Sequence, residues 1–450
     1  MTSPTRSMEV LPQTAPQTGV ETASQTASQT GVDAALVDGS GPQDRAGFRP
    51  RLLAGLSDGQ RVTRLDLSWH LAIHGPLALA VRKRGHGVLV AKLEASALRG
   101  RGGASFPLAD KLAAVQDGRR RPIVVVNGCE GEPLSSKDAT LLARCPHLVL
   151  DGAQALATDS AAIEVIVCFH ADRPGVEQSI RAAINERVDR DQIPTRLFNI
   201  PAGYVAGQAS ALVHFINGGP PTPTTRPPHT STKGIDGRPT LVCNAETYAH
   251  VALIARHGPA WFRSVGTEEQ PGSALVTLSG AVTTPGVIEI PYGAPLLHML
   301  KASAPVRAVL TGGYAGTWLS PQTAASLSWS DSSARSLGAS LGAGIVSVLP
   351  EGSCGLQETL RIVTWMAAQS SRQCGPCLNG LPAIVAGLAD LVEQRANHIT
   401  MESLRRWCGM VEGRGTCAHP DGVVMTVRSA LETFATDVDA HLVSGCEVAR

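Results

Sequence analysis

The stretch Ile123-Val-Val-Val-Asn-Gly-Cys-Glu-Gly-Glu-Pro133 decides the fold class. Its four leading apolar residues predict a short strand buried on both faces, which is typical of a parallel sheet. The polar loop from Asn127 follows directly, at the carboxyl end of the strand, where α/β sheets bind their ligands. Glu130 and Glu132 are therefore candidates for holding ribose hydroxyls or a carboxamide, and the alternative is a solvated turn.

Helical and strand-like segments alternate around this stretch. Val88–Leu98 predicts a helix, Ile163–Phe169 a second buried strand, and Gln208–Ile216 another helix. Alternating strands and helices build a parallel sheet covered by helices, so the predicted fold class is α/β.

A Gly-rich turn, Gly100-Arg-Gly-Gly-Ala-Ser-Phe-Pro107, precedes a further predicted helix. Ser105 is the expected N-cap of that helix, with Pro107 in its first turn. Backbone N–H groups at a helix start bind phosphate, and Lys111 is a candidate to pair with it. The spacing differs from G-x-G-x-x-G, so the usual dinucleotide fingerprint does not apply. A tight helix–helix turn is the alternative.

The second half of the chain changes character. Strand-like runs at Ser273–Gly280, Val287–Ile290 and Val306–Leu310 predict a small β-rich domain. Ser347–Leu349 is a last predicted strand, and from Leu356 onward the apolar spacing is helical.

The composition excludes several classes of function. The chain has 39 Lys and Arg residues and 38 Asp and Glu residues, and its net charge of +1 provides no general field for nucleic acid or an anionic membrane. No apolar run reaches the roughly 18 residues of a membrane span, and the N-terminus lacks a secretory signal pattern. We expect a cytoplasmic protein with a disordered tail, rich in Thr, Gln and Ser, over residues 1–48.

Cys374-Gly-Pro-Cys377 is the main candidate for metal or redox chemistry. Two cysteines at this spacing bind a metal or an iron–sulfur cluster, or close a redox disulfide. A thioredoxin-like dithiol needs a strand before the motif. A predicted helix precedes it here, so the disulfide alternative is the least favoured.

Several motifs of the chain follow one another as they do in a known family. They are Leu98–Pro107, Asn127–Pro133 with Lys137-Asp138, Gly203-Tyr-Val-Ala-Gly207, Arg238–Thr247, Ser279-Gly-Ala-Val with Pro285-Gly286, and Cys374 to Cys377 with Cys417. Through these motifs the chain resembles the NADH- and flavin-binding 51-kDa subunit of respiratory complex I and its relatives in hydrogenases and formate dehydrogenases. The resemblance covers about residues 50–445.

The resemblance implies three folded domains. They are a Rossmann-like FMN- and NADH-binding domain over residues 49–268, a ubiquitin-like (SLBB, β-grasp) domain over 269–338, and a C-terminal helical bundle with an iron–sulfur site over 345–450. In that family NADH gives a hydride to FMN, and the electrons pass singly to a [4Fe–4S] cluster. The implied electron acceptor is a carrier such as ferredoxin or a quinone chain. The implied partners are ferredoxin-like or other redox subunits, which would hold the chain at the inner face of the membrane.

Two sets of binding residues are carried over by position from the family. The implied FMN contacts are Gly100, Gly102, Lys111, Asn127, Glu130, Tyr204, Asn244 and Thr247. Phe106 and Glu132 match positions that stack on and hydrogen-bond NADH.

The chain departs from the family pattern within these predicted sites. The departures are Cys129, Gln208, Ala209, Cys243, His229 and Ala114, where the family has an Asp, two Glu, an Asn and two aromatic residues. Each lost hydrogen bond or stacking contact typically weakens binding by about 0.5–1.5 kcal/mol. These losses favour an alternative function, a non-catalytic relay or scaffold subunit that keeps the cluster but has lost nucleotide binding.

The cluster motif departs at one position. Cys374, Cys377 and Cys417 match three of the family's cluster ligands, but Ser371 stands where the first cysteine is expected. A [4Fe–4S] cube normally takes four thiolates. Cys354 is the preferred fourth ligand because it lies in a turn just ahead of the ligand-bearing helices.

Other fourth ligands are possible from the sequence. Cys446 and the weaker candidate Cys408 are further thiols, and Ser371, water or a ligand is the alternative to a thiol. A chain without a cluster is the last alternative.

Overall fold

The computed structural model describes residues 48–56, 64–77, 88–103, 105–224 and 229–443. The predicted N-terminal tail lies outside these described residues, apart from Phe48.

A four-stranded parallel sheet forms the first part of the fold. Its strands are β1 (Ile123–Asn127), β2 (Glu164–His170), β3 (Thr195–Ile200) and β4 (Thr240–Asn244), in the order β3–β2–β1–β4. The chain winds outward from β1 to β3 and then places β4 on the other side of β1. This reversal of winding opens a crevice between the carboxyl ends of β1 and β4.

Side chains of β1 alternate between two buried layers. Val124 and Val126 belong to one apolar core, and Ile123 and Val125 belong to another. All four are fully buried, which confirms the predicted doubly covered strand and the α/β fold class. The helices around the sheet are α1 (Leu67–His74), α2 (Val88–Ser96), α3 (Leu108–Gln116), α4 (Lys137–Arg144), α5 (Pro146–Asp159), α6 (Pro174–Glu186), α7 (Ala209–Ile216) and α8 (Ala245–Arg263).

The close packing of α5 on α8 requires a glycine. Gly152 lies against the backbone of Tyr248, where an added Cβ atom would overlap the Tyr248 carbonyl group. α5 is buried from Pro146 to Thr158. This contact fixes the position of α8, which begins directly after Asn244 at the end of β4.

The start of α3 differs from the sequence prediction. The helix begins at Leu108, with Pro107 rather than Ser105 at the N-cap position. Ser105 has a φ of 49°, and its hydroxyl donates to Asp331 Oδ2 at 3.0 Å. Ser105 therefore links the Gly-rich turn to a distant part of the chain instead of capping the helix.

A five-stranded mixed sheet forms the second part of the fold. Its strands are β5 (Ser273–Gly280), β6 (Gly286–Pro291), β7 (Val306–Thr311), β8 (Thr317–Leu319) and β9 (Ile345–Pro350), in the order β6–β5–β9–β7–β8. β5 and β9 are parallel, and the other neighbours are antiparallel. Three short helices add buried residues to the core of this sheet: α9 (Leu296–Met299), α10 (Pro321–Ala325) and α11 (Asp331–Ser336).

Strand β9 corrects a predicted domain boundary. We assigned residues 345–450 to the C-terminal helical region, but β9 is the central strand of the second sheet. Its Ile345, Val346 and Val348 are buried there. Because two helices separate β9 from β8 in sequence, no local signal indicates which sheet it joins.

Helices form the rest of the chain, as the sequence predicted. They are α12 (Gly355–Ala368), a π-helical turn (Pro376–Gly380), α13 (Leu381–Val392), α14 (His398–Val411), α15 (His419–Thr433) and α16 (Ala435–Val443). The last two of these helices, α15 and α16, meet at Phe434. Within the described ranges, no helix has both the length and the apolar character needed to cross a membrane.

Candidate functional site

The crevice brings two predicted flavin contacts together. Asn127 and Asn244 end β1 and β4 and are partners in the parallel register. Asn127 Nδ2 donates to the Gly207 carbonyl at 2.7 Å, and its Oδ1 accepts from the Cys129 N–H at 3.1 Å. Asn244 Oδ1 caps α8 by accepting from the Thr247 N–H at 3.1 Å. Both amides are thus held where the sheet topology places a ligand.

The Gly-rich turn lies beside Asn244. The Arg101 N–H donates to Thr247 Oγ1 at 3.0 Å, which ties the turn to the start of α8. Gly102 is exposed, and among the described residues a Cβ atom added there would approach only the Asn244 side chain, at 3.9 Å. Phe106, a predicted nucleotide contact, is 55% exposed. The turn therefore leaves open space over its backbone and an accessible aromatic ring close by in sequence.

The side chains of two other predicted flavin contacts form hydrogen bonds with the protein backbone. Lys111 Nζ donates to the Val242 carbonyl of β4. Glu130 accepts from the N–H groups of Asp138 at 3.1 Å and Ala139 at 2.9 Å. Its carboxylate therefore stabilises the start of α4, where the helix dipole favours a negative charge. In this arrangement Glu130 shapes the loop.

A buried ion-pair network behind the crevice was not assigned a role from the sequence. Lys137 Nζ lies 2.8 Å from Asp138 Oδ2 and 2.9 Å from Glu246 Oε2. Although burial acts to lower it, the two carboxylates raise the pKa of the Lys137 ammonium. Asn244 Nδ2 donates to Asp138 at 3.3 Å, so the network orients the asparagine. The sequence did contain a signal for this network, because Lys137, Asp138 and Glu246 all lie in the motifs that carry the resemblance.

Glu132 is buried and only partly hydrogen-bonded. Its Oε2 accepts from the Tyr314 N–H at 2.9 Å, whereas Oε1 has no hydrogen-bond partner among the described residues. Burial raises the pKa of the Glu132 carboxyl to about 7, although the N–H groups of Tyr314 and Leu134 act in the opposite direction. A buried oxygen without a partner is unusual and fits a donor supplied by a ligand.

We expect Glu132→Gln to stabilise the protein at pH 8 and to have a smaller effect at pH 5. The Glu132 carboxyl has a pKa of about 7 in the folded protein and about 4.5 in the unfolded chain. Between these pH values the folded protein keeps a proton that the unfolded chain releases, so the wild-type protein loses stability as the pH rises from about 4.5 to about 7. The amide carries no charge to bury, and its advantage should grow by about 2–3 kcal/mol from pH 5 to pH 8.

Urea unfolding at the two pH values measures this difference in the free energy of unfolding. Glu268→Gln, at an exposed position, is the control. A Glu132→Gln effect that stays constant between pH 5 and pH 8 would contradict the buried carboxyl described here.

Tyr204 connects the crevice with the C-terminal helices. Its ring lies 5.9 Å from the Trp365 ring and 5.1 Å from the His419 ring, measured between centroids. Burial raises the pKa of the Tyr204 hydroxyl, and so do the neighbouring Glu132 carboxyl and Cys417 thiol. Tyr204 is thus close to both a predicted nucleotide contact and a predicted cluster ligand.

The three cysteines that match the cluster motif lie together after α12. Cys374 and Cys377 are close enough to shift the pKa of each other's thiol, and Cys417 is an electrostatic neighbour of both. Cys377 is buried in the π-helical turn, a conformation that is frequent at functional sites. Burial raises the pKa of the Cys377 thiol to about 12.

Of the three cysteines, Cys374 is the one whose thiol pKa is lowered. Against the effect of burial, hydrogen bonds from Thr416 and Cys377 lower the pKa of the Cys374 thiol. The thiolate is the form that binds metals, so Cys374 is the first expected iron ligand.

Cys354, the preferred fourth ligand, does not join these cysteines. It is the N-cap of α12, and its sulfur lies 3.4 Å from His441 Nε2. Cys374 follows the opposite end of this 14-residue helix, which is about 21 Å long at 1.5 Å per residue. The structure therefore corrects this assignment, and capping of α12 explains Cys354 instead.

The other candidates for the fourth ligand remain predictions. Cys446 lies outside the described residues. Cys408 is buried in α14, where its charged neighbours are Arg428 and Glu412. The Ser370 side chain, next to Ser371 in sequence, is close enough to Cys377 to lower the pKa of its thiol. An oxygen ligand from residues 370–371 is therefore a predicted replacement for a fourth thiolate.

This donor set fits an iron–sulfur cluster better than a single metal ion. In the described part of the chain, no three His, Cys, Asp or Glu side chains converge closely enough to hold one metal ion. A four-iron cube binds each cysteine through a different iron, so its ligands lie farther apart than those of one ion. Three neighbouring thiols with a hydroxyl beside them fit such a cube.

Four of the departures from the family pattern lie near the carboxyl ends of β1 and β4. Cys243 is buried in β4 next to Asn244, and Cys129 is half-buried against Gly207. Gln208 and Ala209 mark the start of α7, and His229 is exposed. The open space over Gly102, the two positioned amides and the unpaired oxygen of Glu132 still fit a flavin and a nicotinamide nucleotide.

Comparison with known families matches both parts of this site. Residues 93–253 match the family model described as the Nuo51 FMN-binding domain. Residues 357–441 match the model described as the NADH-ubiquinone oxidoreductase-F iron-sulfur binding region. The first range contains the Gly-rich turn and both asparagines of the crevice, and the second contains the three neighbouring cysteines.

Individual relatives match most of the chain. The second F subunit of NADH-quinone oxidoreductase in Rhizobium meliloti (strain 1021) is 29% identical over 373 residues, which cover 79% of this chain and 88% of the relative. The F subunit of NADH-quinone oxidoreductase in Streptomyces coelicolor is 29% identical over 377 residues, which cover 80% of this chain and 84% of the relative.

A solved structure shows the same fold. The air-oxidized NAD+-reducing [NiFe]-hydrogenase aligns with a TM-score of 0.73 and 28% identity over 79% of this chain. The match covers 62% of the hydrogenase chain, so this protein spans about three fifths of that chain.

Proposed function

Because the chain belongs to the family of the FMN-binding 51-kDa subunit of NADH:ubiquinone oxidoreductase, we propose that it takes electrons from NADH and transfers them through FMN to a [4Fe–4S] cluster. FMN supplies the conversion of a two-electron hydride into single electrons, which the cluster accepts one at a time. The residues of the chain bind these groups, orient them and keep them close together.

Separate residues support each of these roles. Asn127, Asn244 and the backbone of the Gly-rich turn would hold the flavin in the crevice. Glu132 would offer its unpaired oxygen to the nucleotide, and the exposed Phe106 ring would stack on it. Cys374, Cys377 and Cys417 would hold the cluster.

The position of Tyr204 is the observation that carries the proposal. Its side chain has the Glu132 carboxyl and the Cys417 thiol as electrostatic neighbours. Electron transfer through protein slows steeply with distance, so a flavin near Glu132 and a cluster on Cys417 need to be close. The contacts of Tyr204 agree with this placement, because its ring lies 5.1 Å from the ring of His419, two residues after Cys417, and its backbone packs against Gly131, next to Glu132.

A flavin-free relay subunit, the alternative that the sequence left open, is not favoured. The replacements at Cys129, Gln208, Ala209 and Cys243 all lie within residues 93–253, the range that matches the FMN-binding family model. Asn127 and Asn244 also remain side by side at the carboxyl ends of β1 and β4, where a sheet of this topology binds its ligand.

Partner proteins are part of this proposal. The relatives are described as subunits of NADH-quinone oxidoreductases, and the matching solved structure is a NAD+-reducing hydrogenase. We place other redox subunits beside the cluster, with a ferredoxin-like carrier as the specific acceptor class. A cytoplasmic position at the inner face of the membrane, held through such partners, completes the proposal.

Anaerobic titration of the purified full-length protein with NADH tests the proposed function. We expect a yellow-brown protein whose flavin absorbance is bleached by about one equivalent of NADH, since one hydride reduces one flavin. A brown, flavin-free protein that does not respond to NADH would favour the relay alternative. A colourless protein with a titratable disulfide would favour a dithiol oxidoreductase.

A further inference from the structure

A small cavity lies between the Gly-rich turn and the second sheet. Its lining includes Gly100, a predicted flavin contact, but neither of the two asparagines of the crevice. Its volume is about 50 Å³, and its lining includes Arg101, Tyr292, Trp329 and Gly342. Gly102 of the turn faces Asn244 at the crevice. The next residue, Gly103, faces Gly342, and both of these glycines line the cavity. The turn therefore lies between Asn244 and this cavity.

Arg101 presents unpaired donors to the cavity. The residue is 7% exposed, its Nη1 donates to the Tyr292 hydroxyl at 2.5 Å, and its guanidinium lies over the Tyr292 ring at 4.5 Å. Its Nε and Nη2 have no hydrogen-bond partner within the described parts of the chain. These two N–H groups form one edge of the planar guanidinium, the fork that binds both oxygens of an oxyanion.

The other charged groups that line the cavity are already paired. Glu246 interacts with Lys137 at 2.9 Å and also accepts from the Leu275 N–H at 2.9 Å. Asp331 accepts from Ser105 at 3.0 Å and from Gln270 at 3.1 Å. Glu246 is an electrostatic neighbour of Arg101, but the Nε and Nη2 groups of Arg101 are still left as buried donors. Two buried donors without acceptors are costly unless a ligand accepts from them.

From this arrangement we infer that the cavity is a binding site for a small planar oxyanion, held by the Nε–Nη2 edge of Arg101. One water occupies about 10–15 Å³ of such space, so the cavity admits a ligand of roughly three to five heavy atoms. That size corresponds to formate, bicarbonate, nitrate or acetate, and it excludes a nucleotide or an aromatic acid. The backbone N–H of Arg101 also donates to Thr247 Oγ1. An anion bound to the Arg101 side chain would therefore restrict the motion of the Gly-rich turn.

Equilibrium dialysis of the purified full-length protein with ¹⁴C-formate tests this site. We expect saturable binding of about one formate per chain. Arg101→Gln should lower the bound amount at least tenfold. Arg101→Lys keeps the charge but lacks the fork, so it should also lose most of the binding, and it tests the site if Arg101→Gln does not fold. Arg99→Gln removes an exposed arginine two residues away and should bind as the wild type does.

Competition defines the ligand class. Displacement of formate by unlabelled bicarbonate, nitrate or acetate supports a small-oxyanion site and identifies its preferred ligand, whereas displacement by benzoate contradicts the size limit. Absence of binding to the wild-type protein, or equal binding by Arg101→Gln, would overturn the inference and leave the cavity to water.

Discussion

Replacing Cys377 with alanine should remove the cluster from the protein. Cys377 is buried in the π-helical turn and has the Cys374 and Cys417 thiols as electrostatic neighbours, so its loss leaves two thiols of the three. Two thiolates and one hydroxyl are too few ligands for a cube that normally takes four. We expect iron in the anaerobically purified protein to fall from about four atoms per chain to below about 0.4.

Cys408→Ala is the matched control for this prediction. Cys408 is also buried in the helical region, but its charged neighbours are Arg428 and Glu412 rather than the other cysteines. It should keep its iron and lose only the modest stability of a small cavity, on the order of 1 kcal/mol. Full iron content in Cys377→Ala would show that the cluster lies elsewhere. An equal loss of iron in Cys408→Ala would instead identify Cys408 as the fourth ligand and contradict an oxygen ligand from residues 370–371.

Gly102→Ala should weaken FMN binding while leaving the fold intact. Of the residues that the structure describes, the added methyl group would meet only the Asn244 side chain, at 3.9 Å, so this part of the protein accommodates it. The same methyl would occupy the open space that the flavin needs at the Gly-rich turn. Overpacking of this kind typically costs about 1–3 kcal/mol, which corresponds to an FMN dissociation constant raised about 5- to 150-fold.

Quenching of FMN fluorescence on titration with flavin-free protein measures this change. Gly175→Ala is the control, because Gly175 is exposed at the start of α6 and a Cβ atom there meets nothing within 4 Å. Unchanged FMN affinity in Gly102→Ala would place the flavin away from the Gly-rich turn. An equal loss in both variants would point to a general effect on the fold.

Local sequence patterns were sufficient where burial follows directly from residue type. The apolar run at the start of β1 and its polar loop predicted both a doubly buried strand and the place of the crevice. The apolar spacing from Leu356 onward likewise predicted helical structure, and α12 begins at Gly355. In each case the signal lies within a few residues, because strand and helix periodicity are local properties.

The sequence did not reveal contacts between distant segments. β8 has only three residues, and β9 joins a sheet from which two helices separate it in sequence. Ser105 has the residue type of an N-cap, yet its hydroxyl bonds to Asp331, 226 positions away. Local preference was overridden there by a tertiary contact, which no window of neighbouring residues displays.

The candidate site divides in the same way. The resemblance supplied Asn127, Asn244 and the cysteine triplet, because each lies in a recognisable motif. It did not supply the contact of Glu132 with Tyr314 from the second sheet. The Cys354 prediction was wrong for a related reason. Cys354 lies at the start of α12, whereas Cys374 follows its end, so the full length of the helix separates their positions.

The central claim is that electrons from NADH reach the cluster through the flavin within this one chain. Rapid mixing of the anaerobic holoprotein with NADH, followed by freeze-quenching and EPR, measures it most directly. We predict that flavin bleaching and the signal of a reduced [4Fe–4S] cluster appear in the same reaction. Both should be lost in Gly102→Ala prepared without added FMN, and only the cluster signal should be lost in Cys377→Ala. A cluster that dithionite reduces but NADH does not, in a protein with bound flavin, would contradict the claim.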